Sequence, residues 1–391
     1  MTRSQVREYQ LARLNHLLIH AKNTVPHYKD INIVASLEDL KKIPVLDKKT
    51  ILSDINRLRS TKNYRTIKDK SGGSTGNKVT VYKDLRYHAI SKAVLMRDWQ
   101  SAGVEIGAKS AWFSGDIYKN KPVIFRMFYA LLDRINRKIV LDTFQYKEAD
   151  IIDWFQNKYN KFKPDYLFGF GGTLYDIAKL IKEKKIPIHK PKLIISSSER
   201  LEKRKYIEGV FGCQVIDQYG ATEIPAIAIE DKNYVMHSSD DFVIVEVFNG
   251  EVLITALESY AMPLIRYKLG DIGLIEKKSL TDTYPFKQFN ITIGRTYEVM
   301  KNRKGEHISG GLIKTQVEDE DLDINEFQVV QKSLDEVDLN IVKDEFTKED
   351  SVKRLVEILK FFLDCDKVNV HYLDKFPTES NGKRIAFKCL I

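Results

Sequence analysis

The segment at residues 71–78 (Ser-Gly-Gly-Ser-Thr-Gly-Asn-Lys) combines three glycines, three hydroxyl side chains and one lysine. Glycine lets a backbone approach a ligand closely, while the hydroxyls add donors and the lysine adds a positive charge. These groups can form a cradle for phosphate. The spacing differs from that of a Walker A loop, and a strand-like run at 79–82 follows where that loop would have a helix. Taken alone, such a segment is more often an ordinary turn, so its role depends on the rest of the chain.

Bulk composition narrows the class of protein. The 391 residues are 43% hydrophobic and 30% charged, which is typical of a globular chain with two or three domains. The net charge of +9 comes from basic residues spread among many acidic ones, so nucleic-acid binding is not expected. Three separated cysteines (Cys213, Cys365, Cys389) and eight histidines without metal-ligand spacing argue against disulfides and zinc. With no signal peptide and no apolar run of ~18 residues, we expect a cytoplasmic protein without integral membrane contact.

Strand and helix patterns alternate between residues 164 and 219. Apolar runs at 166–170, 193–198 and 214–219 are separated by helical patterns at 174–184 and 202–211. This alternation predicts βαβ units around a parallel sheet. Ligands of such sheets bind at the carboxyl ends of the strands. Ser198 with Glu199, and Tyr219 with Gly220, fall at those ends.

The pattern changes to short strands after residue 240. Two strands flank Asn249-Gly250, which is the signal of a hairpin with a type I′ turn. Near residue 347 a further helix is predicted, capped by Thr347 with Asp350. We therefore expect a mixed α/β fold. Residues 1–293 would form a large domain with parallel βαβ units and a small β-rich subdomain, and residues 294–391 a small mobile α+β domain.

Residues 121–160 are rich in aromatic side chains. We assign most of them to the packed face of helices, since burial is the usual fate of large aromatic residues. The set comprises Phe125, Phe128, Tyr129, Phe144, Tyr146, Trp154 and Phe155.

Four further stretches bear on the segment at 71–78. They are Tyr-Gly-Ala-Thr-Glu at 219–223, Ile-Arg-Tyr-Lys-Leu-Gly-Asp at 265–271, Gly294-Arg295, and the polar loop at 376–383. In this order the five stretches resemble the adenylate-forming superfamily of acyl-CoA synthetases, luciferases and adenylation domains. The nearer likeness is to its phenylacetate–CoA ligase-like branch, which includes capsular polysaccharide biosynthesis proteins. Residues 16–28 and 43–48 resemble the start of that branch, so the likeness covers nearly the whole chain.

The resemblance implies a nucleotide site. The segment at 71–78 would cover the β- and γ-phosphates of ATP, with contacts from Ser71, Gly73, Ser74, Thr75, Gly76 and Lys78. Without ligand, this segment would be mobile. Tyr219 and Gly220 would lie beside the adenine. Thr222 would contact phosphate, and Glu223 would bind Mg²⁺. Taken singly, a carboxylate such as Glu223 or Asp271 is more often a solvated surface group or a helix cap.

Three further positions complete the implied site. Asp271 corresponds to the carboxylate that accepts both ribose hydroxyls, and Arg295 to an arginine near the ribose and phosphates. Lys383 corresponds to the lysine that stabilises the pentavalent phosphorus during adenylation. Ser198 and Glu199 would line the adenine or substrate pocket, or simply follow a buried strand.

The implied activity is that of an AMP-forming ligase using ATP and Mg²⁺. A carboxylate attacks the α-phosphate and pyrophosphate leaves, so that no side-chain nucleophile is required. The acyl group would then pass to CoA as the expected acceptor. One alternative is a CoA-independent amide or ester synthetase in cell-envelope polysaccharide assembly, and another is a non-catalytic nucleotide-binding scaffold. The small-molecule acid would lie against residues 112–113, 168–172 and 195–198, whose rings suit an aromatic acid but also suit core packing. We expect a monomer or homodimer.

The chain also departs from the family. Tyr297, followed by Glu298, stands where many relatives have a hinge Asp or Lys. Some members of the branch carry a Cys/His metal cluster, which has no counterpart here, and the chain is short for the branch. The second half-reaction is therefore less defined than the first.

Overall fold

A computed structural model describes most of the 391 residues. The parts outside the description are 71–78, 115–121, 144–147, 198–200, 202, 276–284, 294–298, 305–306, 310–312, 314–315, 318–319, 321, 325, 344–346, 376 and 378–384. The described chain forms two compact units. The first comprises Met1–Glu246, Leu253–Lys268 and Ile275–Asn290, and the second comprises Val247–Val252, Leu269–Leu274 and Ile291–Ile391. The functional boundary near residue 293 stays a prediction.

The described helices and strands follow in chain order. The helices are α1 Arg3–Thr24, α2 Lys48–Ser53, α3 Leu85–Ala102, α4 Val123–Ile135, α5 Glu148–Trp154, α6 Asn160–Phe162, α7 Gly171–Glu183, α8 Arg204–Phe211 and α9 Glu349–Leu363. Short 3₁₀ turns lie at Pro26–Tyr28, Leu37–Lys42 and Ile55–Leu58, and a π-helical turn at Phe155–Tyr159 joins α5 to α6. The first strands are β1 Thr66–Lys70, β2 Thr80–Asp84, β3 Ser110–Ser114, β4 Lys138–Asp142, β5 Tyr166–Phe170, β6 Leu193–Ser197, β7 Gln214–Tyr219, β8 Ala228–Glu230 and β9 Met236–Ser238. The remaining strands are β10 Val243–Phe248, β11 Glu251–Ala256, β12 Tyr267–Ile275, β13 Phe289–Ile293, β14 Val299–Lys301, β15 His307–Ser309, β16 Glu326–Gln331, β17 Glu336–Val342, β18 Lys367–Leu373 and β19 Phe387–Cys389.

A seven-stranded sheet forms the centre of the first unit, in the order β4-β3-β5-β6-β7-β8-β9. Strands β3 to β7 pair in parallel, whereas β8 and β9 continue the sheet in antiparallel pairing. The predicted α/β class with parallel βαβ units is thereby confirmed. Helix α7 begins at Gly171, three residues earlier than predicted, because the two glycines at its start resemble a loop in sequence.

The two faces of this sheet are covered by different helices. On one face, Phe113, Ile194 and Val215 belong to a large core that includes residues of α5, α7 and α8. On the other face, Ile195 and Ile216 pack with Trp99 of α3. Both faces are apolar, as expected for a parallel sheet covered on both sides.

Helix α1 begins at a capping box. The Thr2 hydroxyl accepts a hydrogen bond from the Gln5 backbone N–H, and the Gln5 side chain accepts one from the Thr2 backbone N–H. Its buried stripe includes Val6, Leu14 and Leu17, so α1 is amphipathic. Along the described chain, no helix combines the length and apolarity needed to cross a membrane.

Turn chemistry accounts for the hairpin of β10 and β11. These strands are neighbours in a four-stranded sheet of order β10-β11-β12-β13. Asn249 and Gly250 join them with φ values of 51° and 81°. Positive φ at both positions is the requirement of a type I′ turn, so the predicted hairpin is confirmed.

The second unit contains a sheet of order β18-β17-β16-β19. Helix α9 belongs to the core of this unit through Val352, Leu355 and Leu359. The predicted cap at Thr347 is wrong, because Lys348 occupies the N-cap position without a side-chain cap bond. Two backbone contacts of Asp323 favour a helix that begins after Lys348. The Asp323 carbonyl accepts a hydrogen bond from the Lys348 N–H, and the Asp323 N–H donates one to the Ser351 hydroxyl.

The aromatic assignment of residues 121–160 divides in the structure. Trp154 and Phe155 are buried as predicted, whereas Phe125 and Phe128 of α4 are more than half exposed. No residue of α4 is buried. The assignment of Phe125 and Phe128 to the core is therefore wrong, since the helix turns its apolar side outward. Phe144 and Tyr146 lie outside the described residues.

Candidate active site

Strand β7 delivers the first group of predicted site residues to the carboxyl edge of the parallel sheet. Tyr219 is its last residue. Gly220 follows in a tight turn, where a Cβ atom would lie 2.1 Å from the carbonyl oxygen of Pro225. Only glycine fits this close approach. Thr222 is exposed, and Glu223 beside it is buried.

Two tyrosines hold Glu223 in place. The hydroxyl of Tyr267 on β12 donates a hydrogen bond to Glu223 Oε1 at 2.9 Å. The hydroxyl of Tyr87 on α3 donates to the Glu223 carbonyl oxygen at 3.1 Å. Within the described chain, Tyr267 alone donates to the carboxylate. The side chain and the backbone of Glu223 are thus fixed from two elements that are distant in sequence.

A buried lysine holds the preceding residue. Lys83 at the end of β2 donates to the Thr222 carbonyl and forms an ion pair with Asp69 on β1, with 2.7 Å between Nζ and Oδ2. The Lys83 side chain is 6% exposed, whereas that of Asp69 is 35% exposed. This pair was missed by sequence reasoning, since both residues look like ordinary charges of an exposed hairpin.

The same hairpin flanks the glycine-rich segment. Strands β1 and β2 pair in antiparallel register, with Lys70 opposite Thr80. The strand residues Lys70 and Thr80, which lie on either side of the segment at 71–78, are therefore neighbours. The segment itself lies outside the described residues, so its predicted mobility stays a prediction.

Further predicted site residues also lie outside the described part. They are Ser71, Gly73, Ser74, Thr75, Gly76, Lys78, Ser198, Glu199, Arg295 and Lys383. Tyr297 and Glu298 at the hinge position share this status. Their assigned roles stay predictions.

Asp271 lies on β12, four residues after Tyr267. Its side chain is buried. A single strand thus carries both the tyrosine that holds Glu223 and the carboxylate assigned to the ribose. Tyr267 belonged to the sequence stretch that pointed to this strand, but only the structure shows its role.

Positive side chains cluster where β2 passes into α3. His88 and Lys92 are one helical turn apart on α3 and therefore share a face. Burial holds the pKa of His88 below its usual value, and the charges of Lys92 and Lys83 lower it further. Burial also lowers the pKa of Lys92, with repulsion from Lys83 as the next cause. A region that disfavours further positive charge suits an anionic ligand.

The predicted acid-pocket residues divide between the two faces of the sheet. Trp112 and Phe168 face α3, with ring centroids 4.5 Å apart and Trp99 beside them. The indole N–H of Trp99 donates to Gln218 Oε1 at 2.5 Å. Phe113 lies in the core of the opposite face, so it cannot line one pocket together with Trp112. The assignment of residues 112–113 to one pocket is therefore wrong, because side chains alternate along a strand.

A buried polar pair lies next to Tyr219. Ser196 on β6 and Asp217 on β7 are paired in register. Ser196 Oγ and Asp217 Oδ1 are both buried, and the Ser196 hydroxyl favours the ionised form of the Asp217 carboxylate. Burial and the nearby Glu230 raise the pKa of Asp217 to about 7. The Arg204 guanidinium, which pairs with Glu230 at 2.7 Å, opposes that shift.

No group of three or more metal-ligating side chains occurs in the described ranges. The Glu223 carboxylate nevertheless fits a divalent cation that is held jointly by the protein and by the phosphates of a substrate. A carboxylate oxygen suits Mg²⁺, which commonly uses one or two carboxylates together with substrate phosphates.

Comparisons with known proteins agree with the motif analysis. Residues 300–388 match the family model described as the CapK C-terminal domain. Protein CapK of Staphylococcus aureus is 24% identical over 368 residues, which is 89% of this chain and 80% of CapK.

Solved structures share the fold over almost the whole chain. A 2-hydroxyisobutyryl-CoA ligase in complex with 2-HIB-AMP superposes with a TM-score of 0.75 and 17% identity, covering 99% of this chain and 90% of the ligase. A variant of an amide bond synthetase from Marinactinospora thermotolerans has a TM-score of 0.53 and 11% identity, covering 77% of this chain and 64% of the synthetase. The chain therefore has the fold of the adenylate-forming ligases, as its motifs predicted, and its C-terminal part resembles that of CapK.

Proposed function

We propose that this protein is an ATP- and Mg²⁺-dependent, AMP-forming ligase that activates a carboxylic acid as its acyl-adenylate. The observation that carries the proposal is the fixed position of Glu223 at the carboxyl edge of the sheet. In parallel sheets of this kind, that edge is where ligands bind. The fold shared with a CoA ligase in complex with an adenylate supports the same conclusion.

The described residues supply positioning and charge for the reaction. The Lys83 contact to the Thr222 carbonyl holds the backbone of Thr222, whose exposed side chain we assign to a phosphate contact. Lys92 and Lys83 give the neighbouring region a positive potential that favours a triphosphate. Glu223 would hold Mg²⁺, which supplies neutralisation of phosphate charge when it is bound.

The reaction itself needs no protein nucleophile. A carboxylate oxygen of the acid forms a bond to the α-phosphorus, and the bond from that phosphorus to the pyrophosphate oxygen breaks. We assign the stabilisation of the developing negative charge to Lys383, with Asp271 and Arg295 orienting the ribose. Positioning and electrostatic stabilisation account for catalysis of this type.

For the second half-reaction, we propose CoA as the acyl acceptor. The fold shared with a CoA ligase over 99% of this chain supports CoA. An amine acceptor is the competing proposal, because an amide bond synthetase also has this fold. The resemblance of the motifs to capsular polysaccharide biosynthesis proteins favours a substrate from polysaccharide assembly within that second proposal.

One experiment separates these outcomes. The protein is incubated with ATP, Mg²⁺ and a mixed pool of acids, and mass spectrometry identifies any acyl-adenylate. CoA or a set of amines is then added to the product mixture. Acyl-CoA formation supports the first proposal, and amide formation with no thioester supports the second. If no adenylate forms with any acid, the ligase function is wrong.

A further inference from the structure

Helix α4 has an orientation opposite to that of an ordinary surface helix. Its half-buried residues are Tyr129, Leu132 and Asp133, so the side that faces the protein includes its only acidic residue. The opposite side is formed by large apolar side chains, each more than half exposed. We call this the apolar face of α4, comprising Val123, Ile124, Met127, Phe128, Leu131 and Ile135.

The apolar face is continuous. Ile124, Met127, Phe128, Leu131 and Ile135 follow one another at steps of one, three or four residues, which places them on one stripe of a helix. The most exposed of these side chains is Ile124, at 74%. Other exposed apolar side chains of the described chain are scattered along it, as is normal for a globular surface. A contiguous apolar patch of this kind marks an interaction site.

Along the described residues 122–143, the exposed charges have one sign. Asp133 pairs with Lys138, with 2.7 Å between Oδ1 and Nζ, so the acid of the helix is neutralised on the inner side. The exposed charges are those of Arg126 and Arg134 on the helix and Arg137 just after it. Helical spacing places Arg126 and Arg134 on one side of the apolar stripe. A helix with an apolar stripe beside exposed arginines is complementary to a surface with an apolar interior and an anionic outer layer.

A second copy of the chain is a poorer occupant. Pairing two copies through this face would bring the exposed arginines of one helix near those of the other. A helix of 13 residues is about 20 Å long. Such a strip supplies only part of the roughly 800 Å² per partner that a standard interface buries.

We propose that α4 docks the protein onto an anionic lipid bilayer. The helix would lie in the plane of the interface, with its apolar face about 5–10 Å deep and Arg126, Arg134 and Arg137 among the lipid phosphates. Its length is well short of the ~30 Å hydrocarbon core, so it enters one leaflet and does not span. The proposal concerns where the protein works and is independent of the chemistry proposed above.

Vesicle co-sedimentation of the full chain tests the proposal. We expect binding to vesicles that contain phosphatidylglycerol, and at least about tenfold weaker binding to pure phosphatidylcholine vesicles, because anionic lipid attracts the arginines. Raising the salt concentration weakens the electrostatic part. Failure to bind the anionic vesicles at low salt would overturn the proposal.

Matched variants locate the contact. Ile124→Glu with Leu131→Glu should reduce partition into anionic vesicles by about tenfold or more, since charges replace two apolar side chains that would enter the bilayer. Arg126→Gln with Arg134→Gln should remove the preference for anionic lipid. Ile106→Glu is the control, because Ile106 is 72% exposed but lies outside α4. Wild-type binding by the Ile124/Leu131 variant, or an equal loss in the control, would contradict the assignment.

A conservative variant covers the case in which the charged variants misfold. Phe128→Trp keeps an apolar ring at the centre of the face, and its emission should shift to shorter wavelength and be quenched by brominated lipids. Unchanged emission with anionic vesicles would refute insertion. Light scattering measures whether the protein is a dimer in solution. A dimer that Phe128→Glu converts to a monomer, in a protein that does not bind lipid, would overturn the proposal and assign the face to a second copy.

Discussion

The hydroxyl of Tyr267 lies 2.9 Å from Glu223 Oε1 and donates a hydrogen bond to it. The two residues are 44 positions apart in sequence. Through this bond, β12 sets the direction of a buried carboxylate that follows β7. Asp271, which we assign to the ribose, lies on the same strand as Tyr267.

Replacing Tyr267 by Phe should weaken the use of Mg²⁺. The buried carboxylate loses its donor, which costs about 1.5–3 kcal/mol for a bond to a charged group. We expect the Mg²⁺ concentration for half-maximal adenylation to rise about tenfold. Tyr87→Phe is the matched control, since the Tyr87 hydroxyl contacts only the Glu223 carbonyl among the described residues. It should lower stability by about 1 kcal/mol and leave the Mg²⁺ requirement unchanged, and equal Mg²⁺ shifts in both variants would refute the role of Tyr267.

The two members of the Lys83–Asp69 pair should differ in their effect on stability. Asp69→Ala leaves a buried lysine without its ion-pair partner, and we expect a loss of about 2–3 kcal/mol in the free energy of unfolding. Lys83→Met leaves a carboxylate that is one-third exposed, so the loss should be nearer 1 kcal/mol. Urea unfolding of both variants measures the difference. The reverse order would show that the Thr222 contact, not the ion pair, dominates.

A methyl group at Gly220 should disrupt the turn after β7. Its Cβ would lie 2.1 Å from the Pro225 carbonyl oxygen, so the backbone around Thr222 and Glu223 must move. For Gly220→Ala we expect a loss of more than about 2 kcal/mol and of most adenylation activity. Gly209→Ala in α8 has open space at its Cβ and should stabilise by about 0.5–1 kcal/mol. Thermal melts compare the two, and a neutral Gly220→Ala would contradict this account.

Asp217 should make the stability of the protein depend on pH. Burial raises its pKa from 3.8 to about 7 in the folded state, so the folded protein binds this proton more tightly than the unfolded chain does. The stabilisation is complete below pH ~4 and is lost as pH rises through ~7. The wild type should therefore lose unfolding free energy between pH 5 and pH 8. In Asp217→Asn, which cannot ionise at this position, that loss should be smaller. A wild-type profile in the variant would show that other groups set the dependence.

Lys383→Ala should separate binding from chemistry. The lysine is assigned to the transition state of adenylation, so its removal should lower the rate by at least about a hundredfold while ATP binding changes little. Single-turnover adenylation and equilibrium ATP binding give the two values. If ATP affinity falls as much as the rate does, Lys383 is a ground-state ligand and the assigned role is wrong.

The parts predictable from sequence are those determined by local patterns. Strands β5 and β7 lie where their apolar runs placed them, and Asn249-Gly250 forms the expected turn, because adjacent residues determine both features. The partners of Glu223 and Thr222 could not be predicted, since Tyr267, Tyr87 and Lys83 reach them through tertiary contacts.

The sequence likewise did not predict which side of α4 faces the solvent. Periodicity identifies an apolar stripe on a helix but does not tell whether that stripe faces the core or the solvent. The alternation of Trp112 and Phe113 was visible in principle, because neighbouring residues of a strand face opposite sides of a sheet. Treating them as one pocket ignored that rule.

ATP–pyrophosphate exchange measured with a broad panel of carboxylic acids tests the central claim most directly. Adenylation is reversible, so exchange reports formation of the acyl-adenylate whatever the later acceptor is. We predict exchange that requires both Mg²⁺ and one class of acid, and that falls at least about a hundredfold in Glu223→Gln. Folded, ATP-binding protein that shows no exchange with any acid would contradict the assignment of this site to adenylation.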